Sequence, residues 1–129
     1  METTKHFRKR DAILTCLRQT DTHPGAEWIH TQLKTEYSDI SLGTVYRNLA
    51  LFKEQGLIVS LGTVKGVERF DGSTAPHVHF ICTGCGKILD LGGIQVPEEL
   101  SGAAEAESGG SVEACSLNFT GLCGDCAGN

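Results

Sequence analysis

The chain has 129 residues, a formal net charge of −5 and hydrophobic side chains at 40% of its positions. That length suits one ordinary domain or two very small ones, and no apolar run is long enough to predict a membrane span. Its six cysteines follow no recognisable secretory signal. We therefore expect a cytoplasmic chain, in which paired cysteines bind metal more often than they form disulfides.

Charge is distributed unevenly between the two halves of the chain. Residues 1–60 contain eight Lys or Arg and seven Asp or Glu, whereas residues 61–129 contain three and nine. This asymmetry is typical of a half that contacts DNA joined to an acidic half that attracts metal.

Three short helices are predicted in the first sixty residues. Apolar residues recur at helical spacing in residues 7–19 and again in residues 26–37, with Pro24 and Gly25 between them. Ser41 is a favourable N-cap for a third helix, which ends near Gln55 before Gly56. Three such helices predict a helix-turn-helix core.

The third helix has two contrasting faces. Its apolar stripe consists of Leu42, Val45, Leu49 and Phe52. On or beside the opposite face are the candidate DNA contacts Gly43, Thr44, Tyr46 and Arg47. Small side chains permit close approach to the major groove, and an arginine can donate to O6 and N7 of guanine. The alternative is a solvated face with one ordinary arginine, and packing is an equal alternative for Tyr46.

The rest of the chain is predicted to complete an α+β fold. Alternation in residues 57–71 predicts a hairpin around Lys65-Gly66, which gives the element order of a winged helix. A strand, a cysteine knuckle and a second strand follow from His77, then a helix in residues 97–108 and a strand in residues 112–119. We expect a winged-helix DNA-binding domain (1–72), a hinge (73–76) and a small α/β metal-sensing and dimerisation domain (77–129).

Two CxxC pairs are the strongest chemical signal in the sequence. Cys82 and Cys85 form one pair, and Cys123 and Cys126 form the other. Two such pairs complete a closed tetrahedral site of four thiolates, which predicts a structural Zn²⁺. A thioredoxin-like redox couple is the alternative, but it would explain only one of the pairs.

Two histidines and two aspartates form a second candidate site. His77 and His79 project to the same side of a predicted strand, with Asp71 upstream and Asp90 downstream. Mixed nitrogen and oxygen donors suit iron, manganese or zinc better than copper(I). Ordinary surface histidines are the alternative interpretation.

The chain resembles the ferric uptake regulator family over nearly its whole length. The resemblance rests on His23-Pro24, SLGTVYRNLALFKEQGLI, RFDGSTAPHVHFICTGCGKILDL and LNFTGLCGDC. It implies a homodimer that represses transcription by binding an inverted repeat in double-stranded DNA, with the structural zinc on the four cysteines. It also implies a regulatory Fe²⁺ or Mn²⁺ on His23, Asp71, His77, His79 and Asp90. Lys5, Arg8, Lys9 and Arg10 are further candidate DNA contacts.

The aspartates at positions 71 and 90 resemble the peroxide-responsive branch of that family, because iron uptake repressors usually have glutamate there. This branch implies oxidation of His23 and His77 by peroxide. An iron- or manganese-responsive uptake repressor is the alternative within the family.

Two functions from other classes are further alternatives. A small non-haem metal enzyme would use the histidines and aspartates as an open catalytic centre, but no additional nucleophile or general base accompanies them. A zinc-ribbon interaction module would leave His23 and Asp71 unexplained. We therefore expect a regulator that is not an enzyme.

Overall fold

The computed structural model describes residues 2–74 and 78–128, with side chains described from residue 8 onward. The chain forms two compact units, one up to residue 74 and one from residue 75. Helices and strands occur in both units, in agreement with the predicted α+β class. No helix among the described residues is both long and apolar enough to cross a membrane.

The first unit contains three helices followed by a hairpin. Its elements are α1 (Glu2–Gln19), α2 (Ala26–Leu33), α3 (Leu42–Glu54), β1 (Val59–Val64) and β2 (Val67–Asp71). The two strands pair antiparallel. Lys65 and Gly66 both have positive φ, of 52° and 81°, which confirms the predicted tight turn.

Two predicted helix boundaries in this unit were wrong. The first helix begins at residue 2, earlier than the predicted residue 7. Its first turns are polar and carry no apolar periodicity, so the pattern that predicted the helix did not include them. The second helix ends at Leu33 and does not reach residue 37. There the backbone N–H groups of Glu36 and Tyr37 both donate to the Leu33 carbonyl, so the chain closes a tight turn.

The third helix agrees with its prediction. The Ser41 hydroxyl accepts a hydrogen bond of 3.1 Å from the Thr44 backbone N–H, and Gly56 lies beyond the last turn with φ 75°. The helix buries Val45, Leu49 and Phe52, with Leu42 partly buried. Its apolar stripe therefore anchors the core of the first unit. That core consists of buried side chains from the three helices, β2 and the segments between elements: Ile13, Leu17, Ala26, Ile29, Leu33, Ile40, Val45, Leu49, Phe52, Ile58 and Phe70.

The second unit is a three-stranded sheet with one helix. Its elements are β3 (Val78–Cys82), β4 (Ile88–Asp90), α4 (Glu99–Ser108) and β5 (Leu117–Gly121). The strand order is β4-β3-β5, with β4 antiparallel and β5 parallel to β3. Among its described residues, the buried hydrophobic side chains are Val78, Ile81, Cys82, Ile88 and Cys123. Two of these five are cysteines, so the apolar core is small.

Two boundaries in the second unit also differ from prediction. The fourth helix begins at Glu99, two residues later than Pro97. The last strand begins at Leu117, because the preceding segment is bound to α4: the Val112 N–H donates to Glu105 Oε2 at 2.9 Å. A backbone held in this way does not join the sheet at residue 112.

The loop between α1 and α2 packs closely against β2. A Cβ atom added at Gly25 would lie 2.4 Å from Val67 Cγ1 and 3.0 Å from the Glu68 carbonyl oxygen. We expect Gly25→Ala to reduce the free energy of unfolding of the first unit by about 1–3 kcal/mol through overpacking. Urea denaturation followed by the fluorescence of Trp28, the one tryptophan in the chain, measures this change.

Gly43→Ala is the matched control for this substitution. A Cβ at Gly43 would meet only the flexible end of Arg47 at 3.2 Å and Ser41 Oγ at 3.9 Å. Alanine there should leave stability unchanged or raise it by up to about 1 kcal/mol. Equal destabilisation by both substitutions would contradict the packing explanation.

Candidate metal centres and DNA-binding face

The four cysteines of the CxxC pairs converge in the second unit. Cys82 ends β3, Cys85 lies in the turn before β4, and Cys123 and Cys126 follow β5. Their sulfur atoms all lie within 4.8 Å of one another. The Cys85 and Cys123 sulfurs are 3.8 Å apart, and a tetrahedral zinc with bonds of about 2.3 Å would separate its sulfurs by about 3.8 Å. The cluster therefore fits a closed zinc site.

Backbone hydrogen bonds fold the turn that carries the first pair. The Cys82 N–H donates to the Lys87 carbonyl at 2.8 Å, and the Gly86 N–H donates to the Cys82 carbonyl at 2.9 Å. Gly86 has φ 81°, a conformation that a residue with a side chain rarely adopts. The Thr83 N–H donates to the Gly121 carbonyl at 2.7 Å, which attaches this turn to the end of β5.

The electrostatics of the cluster favour a bound cation. Cys82 Sγ accepts hydrogen bonds from the backbone N–H groups of Cys123 at 3.3 Å and Cys85 at 3.4 Å. These bonds lower the pKa of Cys82 to about 5. Hydrogen bonding to the neighbouring sulfurs raises the pKa of Cys126 to about 12. Deprotonation of all four sulfurs therefore requires a positive charge among them, which a divalent metal supplies.

A histidine and an aspartate form a buried pair in the first unit. His23 lies in the loop between α1 and α2, and Asp71 ends β2. His23 Nε2 is 3.4 Å from Asp71 Oδ2, and the His23 side chain is only 3% exposed. The backbone of His23 is left-handed, with φ 53°, which is uncommon for a residue other than glycine.

A second histidine–aspartate pair lies in the second unit. His79 on β3 is the register partner of Asp90 on β4. His79 Nε2 is 3.3 Å from Asp90 Oδ1; His79 is buried, whereas the Asp90 side chain is 45% exposed. His77, the fifth residue of the predicted regulatory set, lies outside the described residues.

Each pair offers one imidazole nitrogen and carboxylate oxygens at short range. This donor set fits Fe²⁺, Mn²⁺ or Zn²⁺ and contains none of the sulfur that Cu(I) prefers. Two such side chains fill only part of an octahedral coordination sphere, so a stable six-coordinate site needs ligands beyond either pair alone.

Arg69 is a residue near the first pair that the sequence patterns did not indicate. Its guanidinium donates through Nε to the His23 carbonyl and through Nη2 to the Thr22 carbonyl, the latter at 2.8 Å. Burial lowers the pKa of Arg69. Arg69 lies two residues before Asp71, so both side chains project to the same face of the strand. This spacing is the signal in the sequence that could have indicated Arg69.

The candidate DNA contacts lie on the first turns of α3. Tyr46 is 53% exposed, and Gly43 and Arg47 are exposed as well, whereas the stripe on the opposite face is buried. Arg47 Nη2 donates to Thr44 Oγ1 at 3.2 Å, and Thr44 Oγ1 lies 2.8 Å from Ser41 Oγ. The helix cap and the arginine are thus connected by hydrogen bonds, which limits the orientations of the guanidinium group.

Two of the basic residues proposed as further DNA contacts interact with other side chains of the first unit. Lys9 Nζ is 3.1 Å from Asp39 Oδ2, and the Arg10 guanidinium lies 5.4 Å from the centre of the Phe52 ring. Arg8 is exposed. The Lys5 side chain lies outside the described part of the chain.

Known proteins match this chain over most of its length. The model of the Ferric uptake regulator family matches residues 2–120. The peroxide-responsive repressor PerR of Staphylococcus saprophyticus is 37% identical over 118 residues, which cover 92% of this chain and 79% of that protein.

Solved structures of two bacterial regulators are also similar. The Campylobacter jejuni peroxide stress regulator has a TM-score of 0.77 and 29% identity, with 92% of this chain and 88% of that chain covered. The Vibrio cholerae ferric uptake regulator has a TM-score of 0.70 and 28% identity, with 88% of each chain covered. With a family match that spans almost all of its residues, this chain belongs to the ferric uptake regulator family.

Proposed function

We propose that this chain is a metal-dependent transcriptional repressor that responds to peroxide, and that it acts as a cytoplasmic homodimer on an inverted repeat in double-stranded DNA. The observation that carries the proposal is the buried His23–Asp71 pair, 3.4 Å apart within the winged-helix unit. A metal ligand pair inside the unit that contacts DNA allows metal binding to influence DNA binding directly.

The structural part of the proposal is a zinc ion on the four cysteines. It is supported by the close approach of all four sulfurs and by the small apolar core of the second unit. A closed site of this type stabilises the fold and leaves no coordination position for a substrate.

The regulatory part uses five residues from the two units. We assign His23 and Asp71 in the first unit, and His77, His79 and Asp90 in the second, to one Fe²⁺ or Mn²⁺. The two histidine–aspartate pairs support four of these assignments, and the resemblance to the family supports His77. Because the ligands belong to both units, a bound ion would select the arrangement that is competent to bind DNA.

The DNA-binding part uses Gly43, Thr44, Tyr46 and Arg47 on α3. Their position at the start of a helix, opposite its buried stripe, suits insertion into the major groove. Two such helices in a symmetric dimer would bind half-sites about 34–36 Å apart, which requires an inverted repeat.

Exposed apolar side chains in the second unit support the homodimer. Among the described residues of this unit, Leu89, Ile94, Leu100, Phe119 and Leu122 are between 39% and 52% exposed. Phe119 lies on β5, an edge strand of the sheet. Burial of these side chains against a second copy would compensate for the small core.

Peroxide sensing is supported by the relatives and by the ligand types. The relative in Staphylococcus saprophyticus is named a peroxide-responsive repressor. Asp71 and Asp90 resemble the peroxide-responsive branch of the family. His23, Asp71, His77, His79 and Asp90 would hold the ion, and ferrous iron would supply the reduction of peroxide beside these ligands. Insertion of one oxygen atom into the His23 or His77 imidazole would consume one peroxide as the two-electron oxidant and release one water. The oxidised imidazole would be a poorer donor, so the remaining residues would no longer hold the ion.

A band-shift assay tests the repressor against the alternatives. Zinc-loaded protein is mixed with a pool of random DNA fragments, with and without Mn²⁺ and with and without Fe²⁺ under anaerobic conditions. Metal-dependent retention of inverted repeats supports the proposal. Binding that is independent of both metals, or no DNA binding, contradicts it and favours an interaction module or an enzyme.

Replacement of Cys123 by Ser should abolish zinc binding. We expect metal analysis to show a loss from about one zinc per chain to none, because a tetrahedral structural site requires all four ligands.

Zinc binding to the metal-free wild type should release protons at neutral pH, since Cys126 is protonated below its pKa of about 12. Zinc affinity should therefore rise with pH.

Cys115→Ser is the control for the Cys123→Ser variant. Cys115 is half-buried and lies outside the cluster, so its replacement should leave zinc content unchanged. Full zinc content in the Cys123→Ser variant would contradict the assignment.

Replacement of Arg47 by Ala should weaken binding to the selected operator by about 1–3 kcal/mol and relax the preference at one base pair. The physical reason is the loss of the paired guanidinium hydrogen bonds to guanine. Competition binding with single-base operator variants measures both effects. A uniform loss on all sequences would identify Arg47 as a phosphate contact instead.

Peroxide treatment of the iron-loaded protein should add oxygen at His23 or His77 and abolish DNA binding. Peptide mass spectrometry locates the added mass, and the manganese-loaded protein should remain unmodified. Loss of binding that follows cysteine oxidation in place of histidine oxidation would refute this mechanism.

His79→Ala, which removes a ligand, should abolish metal-dependent DNA binding without loss of the cysteine-bound zinc.

A further inference from the structure

The loop that carries His23 has an unfavourable backbone conformation at a buried position. His23 has φ 53°, a region in which a β-carbon crowds the neighbouring carbonyl oxygen. The residue is also only 3% exposed. A conformation of this kind persists only where surrounding contacts determine it.

Strand β2 supplies those contacts through two consecutive residues. The carbonyl groups of Thr22 and His23 both accept hydrogen bonds from the Arg69 guanidinium. The next carbonyl, that of Pro24, accepts a hydrogen bond of 3.0 Å from the Phe70 backbone N–H. Three successive carbonyl groups of the loop are therefore held by β2.

The alternation of β2 connects this support to the metal ligands. Phe70 is only 4% exposed and belongs to the core of the first unit, which fixes the strand in place. Arg69 and Asp71 flank it and project to the opposite side. One side chain on that side holds the His23 backbone, and the other lies 3.4 Å from the His23 imidazole.

We propose that Arg69 is a positioning residue of the regulatory site, which holds the His23 backbone in its left-handed conformation so that the imidazole is directed at Asp71. This role rests on the proposed function, since His23 must be a metal ligand for its orientation to affect metal affinity. Arg69 itself does not contact the metal. A lysine cannot replace it fully, because the guanidinium donates to the two adjacent carbonyl groups from a rigid planar fork, whereas an ammonium is a compact group on a flexible stem.

The first experiment measures the loop and requires no regulatory metal. Amide hydrogen exchange is compared between wild type and Arg69→Ala in zinc-loaded protein, with the segment 20–26 as the reporter. We expect faster exchange in this segment and unchanged exchange in residues 42–54 of α3. Unchanged exchange in residues 20–26 would overturn the positioning role.

Two further variants exclude less specific explanations. Lys53→Ala removes a cation that is bound to the neighbouring β2 residue, with Lys53 Nζ 3.0 Å from Glu68 Oε2. It should leave exchange in residues 20–26 unchanged. Arg69→Lys retains the charge and should give an intermediate increase; it also serves if Arg69→Ala does not fold, as judged by the fluorescence of Trp28.

The second experiment measures Mn²⁺ affinity in a double-mutant cycle. Arg69→Ala should weaken Mn²⁺ binding by about 10- to 100-fold, as expected for a residue that orients a ligand. In a His23→Ala background the same change should have less than about a twofold effect, because Arg69 acts through His23. An equal loss in both backgrounds would show that Arg69 acts as general structural support and would overturn the proposal.

The two experiments separate failure of this inference from failure of the proposed function. If His23→Ala binds Mn²⁺ as tightly as wild type, His23 is not a ligand and the proposed regulatory set is wrong. If His23→Ala weakens Mn²⁺ binding but Arg69→Ala does not, the ligand assignment stands and the positioning role is wrong.

Discussion

Hydrogen bonds from a strand to the backbone of a neighbouring loop or turn position the candidate metal ligands in each unit. In the first unit, β2 binds three successive carbonyl groups of the loop that contains His23. In the second, the N–H group of Cys82 at the end of β3 closes the first cysteine turn on Lys87. Metal ligands on loops would otherwise have to be ordered by the ion itself, at a cost in affinity. Prior ordering of the ligands reduces that cost.

The two units are stabilised in different ways. Eleven buried residues from α1, α2, α3, β2 and the intervening segments form the core of the first unit. In the second, α4 buries none of its side chains, and two of the buried hydrophobic residues are cysteines. The four-cysteine cluster fits a zinc site, and we expect metal coordination there to supply tertiary stability that the small apolar core does not. Oxidation of the four cysteines, or removal of the zinc, is thus expected to affect the second unit far more than the first.

Sequence patterns located the features that depend on local interactions. The cap of α3 by Ser41, its buried stripe and the hairpin turn at Lys65-Gly66 each arise from residues a few positions apart. The cysteine spacing likewise predicted each pair of the four-sulfur cluster, because a CxxC pair occupies a single turn, although the two pairs themselves meet across 38 positions. Such signals are readable because sequence proximity and spatial proximity coincide.

The features that were missed depend on contacts between distant positions. Arg69 binds a carbonyl 46 residues earlier, and no periodic pattern encodes that contact. The start of β5 was predicted too early because Glu105 of α4 captures the backbone at Val112. Secondary-structure propensity could not reveal either hydrogen bond, since in each case the bonding partner lies outside the segment whose structure was being predicted.

The placement of the cysteines also determines an order of events during synthesis. The cluster joins the end of β3 to residues beyond β5, and β5 is the parallel neighbour of β3. The ribosome must therefore release Cys126 before the cluster can close, whereas every helix and strand of the first unit precedes residue 72. A nascent chain thus acquires its helix-turn-helix before it can retain zinc. Zinc supply would therefore act on this protein only after the first unit has already emerged.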